Sequence, residues 1–172
     1  MSTVTAVKNR ILQLTKERNI TINKLANISA LPPSSVKAIV YGWSKNPKIL
    51  TIKMMCDGLE ITLAEFFNTP EFNNGEELKI KKTDSNKTEE SEYNTLTAIR
   101  YRILQLCDEN DIPIYRLVER TGVSTGSVNN ILYGKSKNPK LMTIKMLCDG
   151  FGITLAEFFD TDEFNYLEQE IR

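Results

Sequence analysis

The chain contains no histidine. That absence removes the commonest general base, the commonest zinc ligand and any Ser-His or Cys-His nucleophile pair. Cysteine is scarce, with Cys56, Cys107 and Cys148 each set in an apolar helical context. An odd number with no CxxC pair gives neither a disulfide framework nor a zinc ligand set, and fits a reduced compartment. There is no apolar run of roughly 18 residues and no basic-then-apolar signal after Met1, so no membrane span or leader is expected. Glycine-rich phosphate loops and clustered acids are missing as well, which leaves reaction chemistry without a seat. The composition therefore predicts a soluble, cytoplasmic protein that is not an enzyme and uses no cofactor or metal.

Net charge is also absent, since 22 basic residues balance 22 acidic ones. The charges are nevertheless segregated. Between Thr21 and Cys56 stand Lys24, Lys37, Lys45, Lys48 and Lys53 with no acid at all. Between Pro113 and Cys148 stand Arg116, Arg120, Lys135, Lys137, Lys140 and Lys145 against the single acid Glu119. Two basic patches on a neutral chain point to an anionic partner more directly than the overall charge does.

What the chain does have is a repeat. A shift of 92 positions lays Val7–Phe72 on Ile99–Phe164 without a gap, and 36 of those 66 pairs are identical. The longest shared run is Ile-Thr-Leu-Ala-Glu-Phe-Phe, at 61–67 and 153–159. A unit of this length is too long for a solenoid repeat and long enough for a small domain. The expected organisation is a first copy over 1–72, a linker over 73–92 and a second copy over 93–172. The linker is polar and charge-mixed, and as a flexible coil it typically spans about 25 Å.

Each copy reads as five helices, so the fold class is all-α. The first helix spans about Thr5 to Arg18, or Thr97 to Asn110, with Val7, Ile11 and Leu14 forming a core-facing stripe. The second starts near Thr21 or Pro113. The third covers Pro33 to Tyr41, or Thr125 to Tyr133, and stops at Gly42 or Gly134. The fourth is expected to be capped by Thr51 or Thr143 and to end near Gly58 or Gly150. The fifth opens with a capping box, Thr62-x-x-Glu65 or Thr154-x-x-Glu157, and its phenylalanines should close the core. A short terminal helix is expected within 165–172. Second and third helices joined by a tight turn make a helix-turn-helix pattern in each copy.

In the third helix of the second copy, Val128 and Ile131 share one side, while Thr125, Gly126, Asn129 and Asn130 share the other. The apolar pair must face the core, so the polar set faces outward. Asparagine can pair with adenine in the major groove, and threonine can hydrogen-bond or meet a thymine methyl. The equivalent outward set in the first copy is Pro33, Ser34, Lys37 and Ala38, where lysine suits guanine or phosphate. Taken alone such a face is more often simply solvated. The acid-poor stretches and the flanking lysine loops favour double-stranded DNA. Tyr41 and Tyr133 read as loop-packing residues, and Trp43 as exposed by its loop position.

With these residues both copies resemble the Cro/repressor-type, or XRE-family, helix-turn-helix domains of phage and bacterial regulators. The resemblance rests on the second-helix, turn and third-helix segment, on Tyr-Gly-x-Ser-Lys-Asn-Pro-Lys after it, and on the run ending Ile-Thr-Leu-Ala-Glu-Phe-Phe. It implies a compact all-α domain whose third helix enters the major groove, with base contacts from Pro33, Ser34, Lys37, Ala38, Thr125, Gly126, Asn129 and Asn130. Phosphate contacts are expected from Thr21, Trp43, Lys45, Lys48, Ser124, Lys135, Lys137 and Lys140. The chain departs from the usual pattern in carrying two fused copies, in the Leu31-Pro-Pro33 turn, and in Gly126, which puts no side chain at a reading position.

The function expected from all this is a sequence-specific, nucleoid-associated transcriptional regulator of bacterial or phage type. It would act as a repressor, with one chain forming a pseudo-dimer over two unlike half-sites. The alternative is a protein-interaction module, antitoxin-like or scaffolding, that self-associates or grips a protein partner and uses one copy or neither on DNA.

Overall fold

The structure is a computed structural model that describes residues 2–73, 94–167 and 169. The expected linker falls almost entirely outside the described residues. Its first member, Asn73, is 4% exposed and donates from Nδ2 to Asn68 Oδ1 at 2.8 Å.

The first copy consists of α1 (Thr3–Glu17), α2 (Ile22–Ile28), α3 (Pro33–Val40), α4 (Ile49–Gly58) and α5 (Leu63–Phe67). The second repeats the plan as α6 (Thr95–Glu109), α7 (Ile114–Thr121), α8 (Thr125–Leu132), α9 (Leu141–Phe151) and α10 (Leu155–Phe159), followed by α11 (Asp162–Asn165). No strand occurs among the described residues, and the class is all-α, as the periodicity predicts. The short helix α11 stands before the expected terminal helix, where Thr161 precedes two acids suited to a helix start, and the expected segment runs on from there to residues outside the described ones.

The local chemistry explains most boundaries. Ser2 and Asn94 accept from backbone N–H groups in the first turns of α1 and α6, which start both helices two residues before the expected position. Thr21 caps α2 through Lys24 N, whereas Pro113 occupies the same place before α7 with no side-chain cap. Both capping boxes form in full around Thr62/Glu65 and Thr154/Glu157. Arg10 ties α1 to α5 by donating to the Glu65 and Phe66 carbonyls at 3.1 and 3.2 Å, satisfying groups that a short helix leaves unpaired.

Phe66, Phe67, Phe158 and Phe159 are fully buried, and edge-on contacts link each pair to Phe72 or Phe164. Glycine at Gly58 and Gly150 lets α4 and α9 approach the second helix closely. A Cβ at Gly58 would stand 2.8 Å from the Ile28 carbonyl oxygen, and one at Gly150 would stand 2.3 Å from Thr121 Cγ2.

The helix-turn-helix corners differ in one instructive way. Gly122 leaves α7 with φ of 66°, and Ala30 holds the equivalent place after α2 with φ of 49°. A Cβ in the left-handed region costs about 1–2 kcal/mol, part of which glycine's larger unfolded-state entropy cancels. Ala30→Gly is therefore expected to stabilise the chain by about 0.5–1 kcal/mol, read as a higher urea midpoint at unchanged slope. A lowered midpoint would show that the Ala30 methyl makes packing contacts worth more than the strain.

The fourth helices begin differently from expectation. Thr51 and Thr143 do not cap them; α4 and α9 start three residues sooner, after Lys48 and Lys140, and neither lysine supplies a side-chain cap. The caps come from the other copy. Asn138 Oδ1 accepts from Leu50 N at 3.2 Å, and Asn46 Oδ1 accepts from Met142 N at 3.1 Å. Ile49 N donates to the Pro139 carbonyl at 3.0 Å, and Leu141 N to the Pro47 carbonyl at 2.9 Å. Lys48 and Lys140 face each other in an antiparallel bridge, and Phe67 stacks on Phe159 with ring centroids 5.5 Å apart.

Every one of these contacts maps onto its mate, or onto itself, under the repeat shift. That is the signature of an isologous, pseudo-two-fold interface. Its axis passes between Lys48 and Lys140 and between Phe67 and Phe159. The relation between the copies is thus set by packed surfaces as well as by chain connection.

Candidate nucleic-acid interface

The outward faces of α3 and α8 are the centre of the candidate site. Val36 and Ile39 on α3, and Val128 and Ile131 on α8, are buried, and they turn the opposite side of each helix to solvent. Pro33, Ser34, Thr125, Gly126 and Asn130 are exposed; Lys37, Ala38 and Asn129 are half-buried. The helices are entered differently. Ser124 caps α8 by accepting from Ser127 N at 3.2 Å, and its hydroxyl also shares a 2.8 Å hydrogen bond with Ser127 Oγ. Pro32 offers α3 no side-chain cap, and Pro33 follows at the first helical position.

The residues expected to meet phosphate are all exposed: Thr21, Trp43, Lys45, Lys48, Ser124, Lys135, Lys137 and Lys140. Thr21 and Ser124 already use their hydroxyl oxygens as helix caps, so only the remaining hydroxyl capacity faces solvent. Lys48 and Lys140 meet at the pseudo-two-fold axis, with Lys45 and Lys137 three residues before them in each loop. All four lysines are exposed, two from each copy.

Two lysines counted in the basic patches do not belong to the open surface. Lys53 is buried against Asp57, and Lys145 pairs with Asp149 one turn along α9. Lysine can stay charged in a buried place only beside such a partner, which an inventory of the acid-free segment misses because Asp57 and Asp149 lie just beyond it. Each patch is smaller by one charge than the sequence count.

Tyr41 and Tyr133 also differ from expectation. They stand 58% and 70% exposed, just past α3 and α8, rather than buried under the loops. Tyr41 touches Trp43, itself 71% exposed, with centroids 5.4 Å apart; Lys135 occupies the tryptophan's place in the second copy. Tyr115 on α7 is 61% exposed as well. No hydrophobic periodicity flags these rings, because an aromatic at a helix end reads equally well as core or surface.

The cysteines are not part of the site. Cys56 and Cys148 are fully buried, and desolvation raises both thiols well above their ordinary range, which keeps them protonated and unreactive. Desolvation raises half-buried Cys107 too. Among the described residues, no helix is long and apolar enough to cross a membrane.

Comparison with known proteins matches this chain to a family twice. The family described as the Cro/C1-type HTH DNA-binding domain covers residues 10–71 and again 102–163. The two matches are displaced by the same shift as the internal repeat and together take in well over half of the chain. No curated protein and no solved structure matches the chain.

Proposed function

We propose, since this chain belongs to the Cro/C1-type HTH DNA-binding domain family and is a DNA-binding regulator, that it reads two half-sites as a single-chain pseudo-dimer. In this reading α3 and α8 enter successive major grooves about 34 Å apart. Base edges are met by Pro33, Ser34, Lys37 and Ala38 on one half-site and by Thr125, Gly126, Asn129 and Asn130 on the other. Thr21, Trp43, Lys45, Lys48, Ser124, Lys135, Lys137 and Lys140 hold the backbone and fix the register.

The observation that carries this reading is the reciprocal contact set at Asn46/Asn138, Lys48/Lys140 and Phe67/Phe159. A two-fold relation between two readers matches the two-fold relation between half-sites on duplex DNA. The exposed lysines Lys48 and Lys140, one from each copy, suit contact with a phosphate backbone. Repression by covering a promoter is the simplest outcome of such occupancy.

Selection of the full chain against random duplexes, with sequencing and a salt titration, tests this. We expect enrichment of two unlike half-sites about one turn apart, with affinity falling steeply as salt rises. Asn130→Ala should relax choice at one position by about 1–3 kcal/mol, whereas Lys137→Ala should weaken all duplexes alike. Weak binding without enrichment would overturn the reading and leave a protein partner in its place.

A further inference from the structure

The two reading helices are built to meet different chemistry. At the equivalent places where α8 presents Thr125 and Asn130, α3 presents Pro33 and Ala38. Thr125 and Asn130 are exposed hydrogen-bonding side chains, while Pro33 and Ala38 offer only carbon. The contrast continues past the helix end, where Trp43 against Tyr41 extends the apolar surface and Lys135 replaces it in the second copy. On α3 only Ser34 and Lys37 bring polar atoms to the face. The major groove holds a single apolar group, the thymine 5-methyl; adenine offers an N7 acceptor and an N6 donor instead.

From this, and resting on the DNA reading above, we propose that the first copy recognises its half-site through thymine methyl groups packed on Pro33 and Ala38. The second copy reads its half-site through adenine N6/N7 edges with Asn130, aided by Thr125. Burying a methyl on an apolar side chain is worth about fourfold in affinity, and a hydrogen-bonding side chain at the same place gains less from it. The two halves of the operator therefore differ in kind as well as in sequence.

The test uses the intact chain and the duplex it selects, labelled and resynthesised with one half altered at a time. Deoxyuridine in place of thymidine removes the methyl and leaves every hydrogen-bonding edge intact. Replacing deoxyadenosine with its 7-deaza analogue removes the N7 acceptor. Asn130→Ala identifies the α8 half, because base preference relaxes there. In the other half we expect uracil to weaken binding about fourfold per contacted methyl, and in the α8 half by less than about twofold. The 7-deaza analogue should show the opposite bias. The double variant Pro33→Thr with Ala38→Asn, at an exposed and a half-buried position, should lose the uracil sensitivity. Equal or absent uracil effects in an enriched, tightly bound duplex would overturn the methyl proposal and leave the DNA reading standing. Failure to enrich any duplex would overturn both.

Discussion

Phe159→Ala is expected to destabilise the chain by about 3–5 kcal/mol, the range for emptying a buried phenylalanine site. Phe159 is fully buried and touches Phe158 and Phe164 at 5.0 Å within its own copy, and Phe67 across the interface. Phe67→Ala should cost about as much, since Phe67 meets Phe66 and Phe72 in the same way. The decisive quantity is the double variant. If the rings meet across the axis, its loss falls short of the summed single losses by about 0.5–1.5 kcal/mol. Urea denaturation of the four proteins measures this directly, and strict additivity would mean that the cross-copy stack contributes nothing.

The second large effect concerns DNA geometry. Inserting about five base pairs between the selected half-sites turns one of them to the opposite side of the duplex. Two copies joined only by a chain of linker length would adapt, and affinity would fall little. Two copies docked through Asn46, Asn138 and the phenylalanine stack cannot follow, so one half-site should be lost. The expected loss is about 100-fold, the low end of what linked binding contributes. Tolerance of the insertion would mean that the copies part on DNA and that connection alone relates them. A variant carrying both Asn46→Ala and Asn138→Ala should lie between these outcomes, since each lost cap weakens docking by about 1 kcal/mol.

Much of the fold was legible because its signals are local. The capping boxes at Thr62 and Thr154, the apolar stripe through Val7, Ile11 and Leu14, and the glycines after the third helices each act within a turn or two of chain. The starts of α4 and α9 were not legible for the opposite reason. Their first N–H groups are satisfied by Asn138 and Asn46, roughly a whole domain away in sequence, and a nearby threonine looks like the better cap. One clue was available: Ser-Lys-Asn-Pro-Lys recurs unchanged in both copies beside a diverging Trp43 and Lys135. The reading faces could be placed from helical periodicity, since buried Val36, Ile39, Val128 and Ile131 fix which side is out. The charge of the patches could not, because the partners of Lys53 and Lys145 emerge only one helical turn later.

The paired contacts at the axis also change how heredity acts on this interface. In a dimer of identical chains a single codon change strikes both sides of the seam at once. Here Asn46 and Asn138 are encoded separately, so replacing one removes one cap and leaves its mate in place. Each mutational step is halved, and so is its penalty. A gene of this form can explore changes on one half while the other keeps the assembly closed. Its seam has stayed nearly symmetric at Asn46/Asn138, Pro47/Pro139, Lys48/Lys140 and Phe67/Phe159, while Pro33/Thr125, Ser34/Gly126, Lys37/Asn129 and Ala38/Asn130 have all parted company.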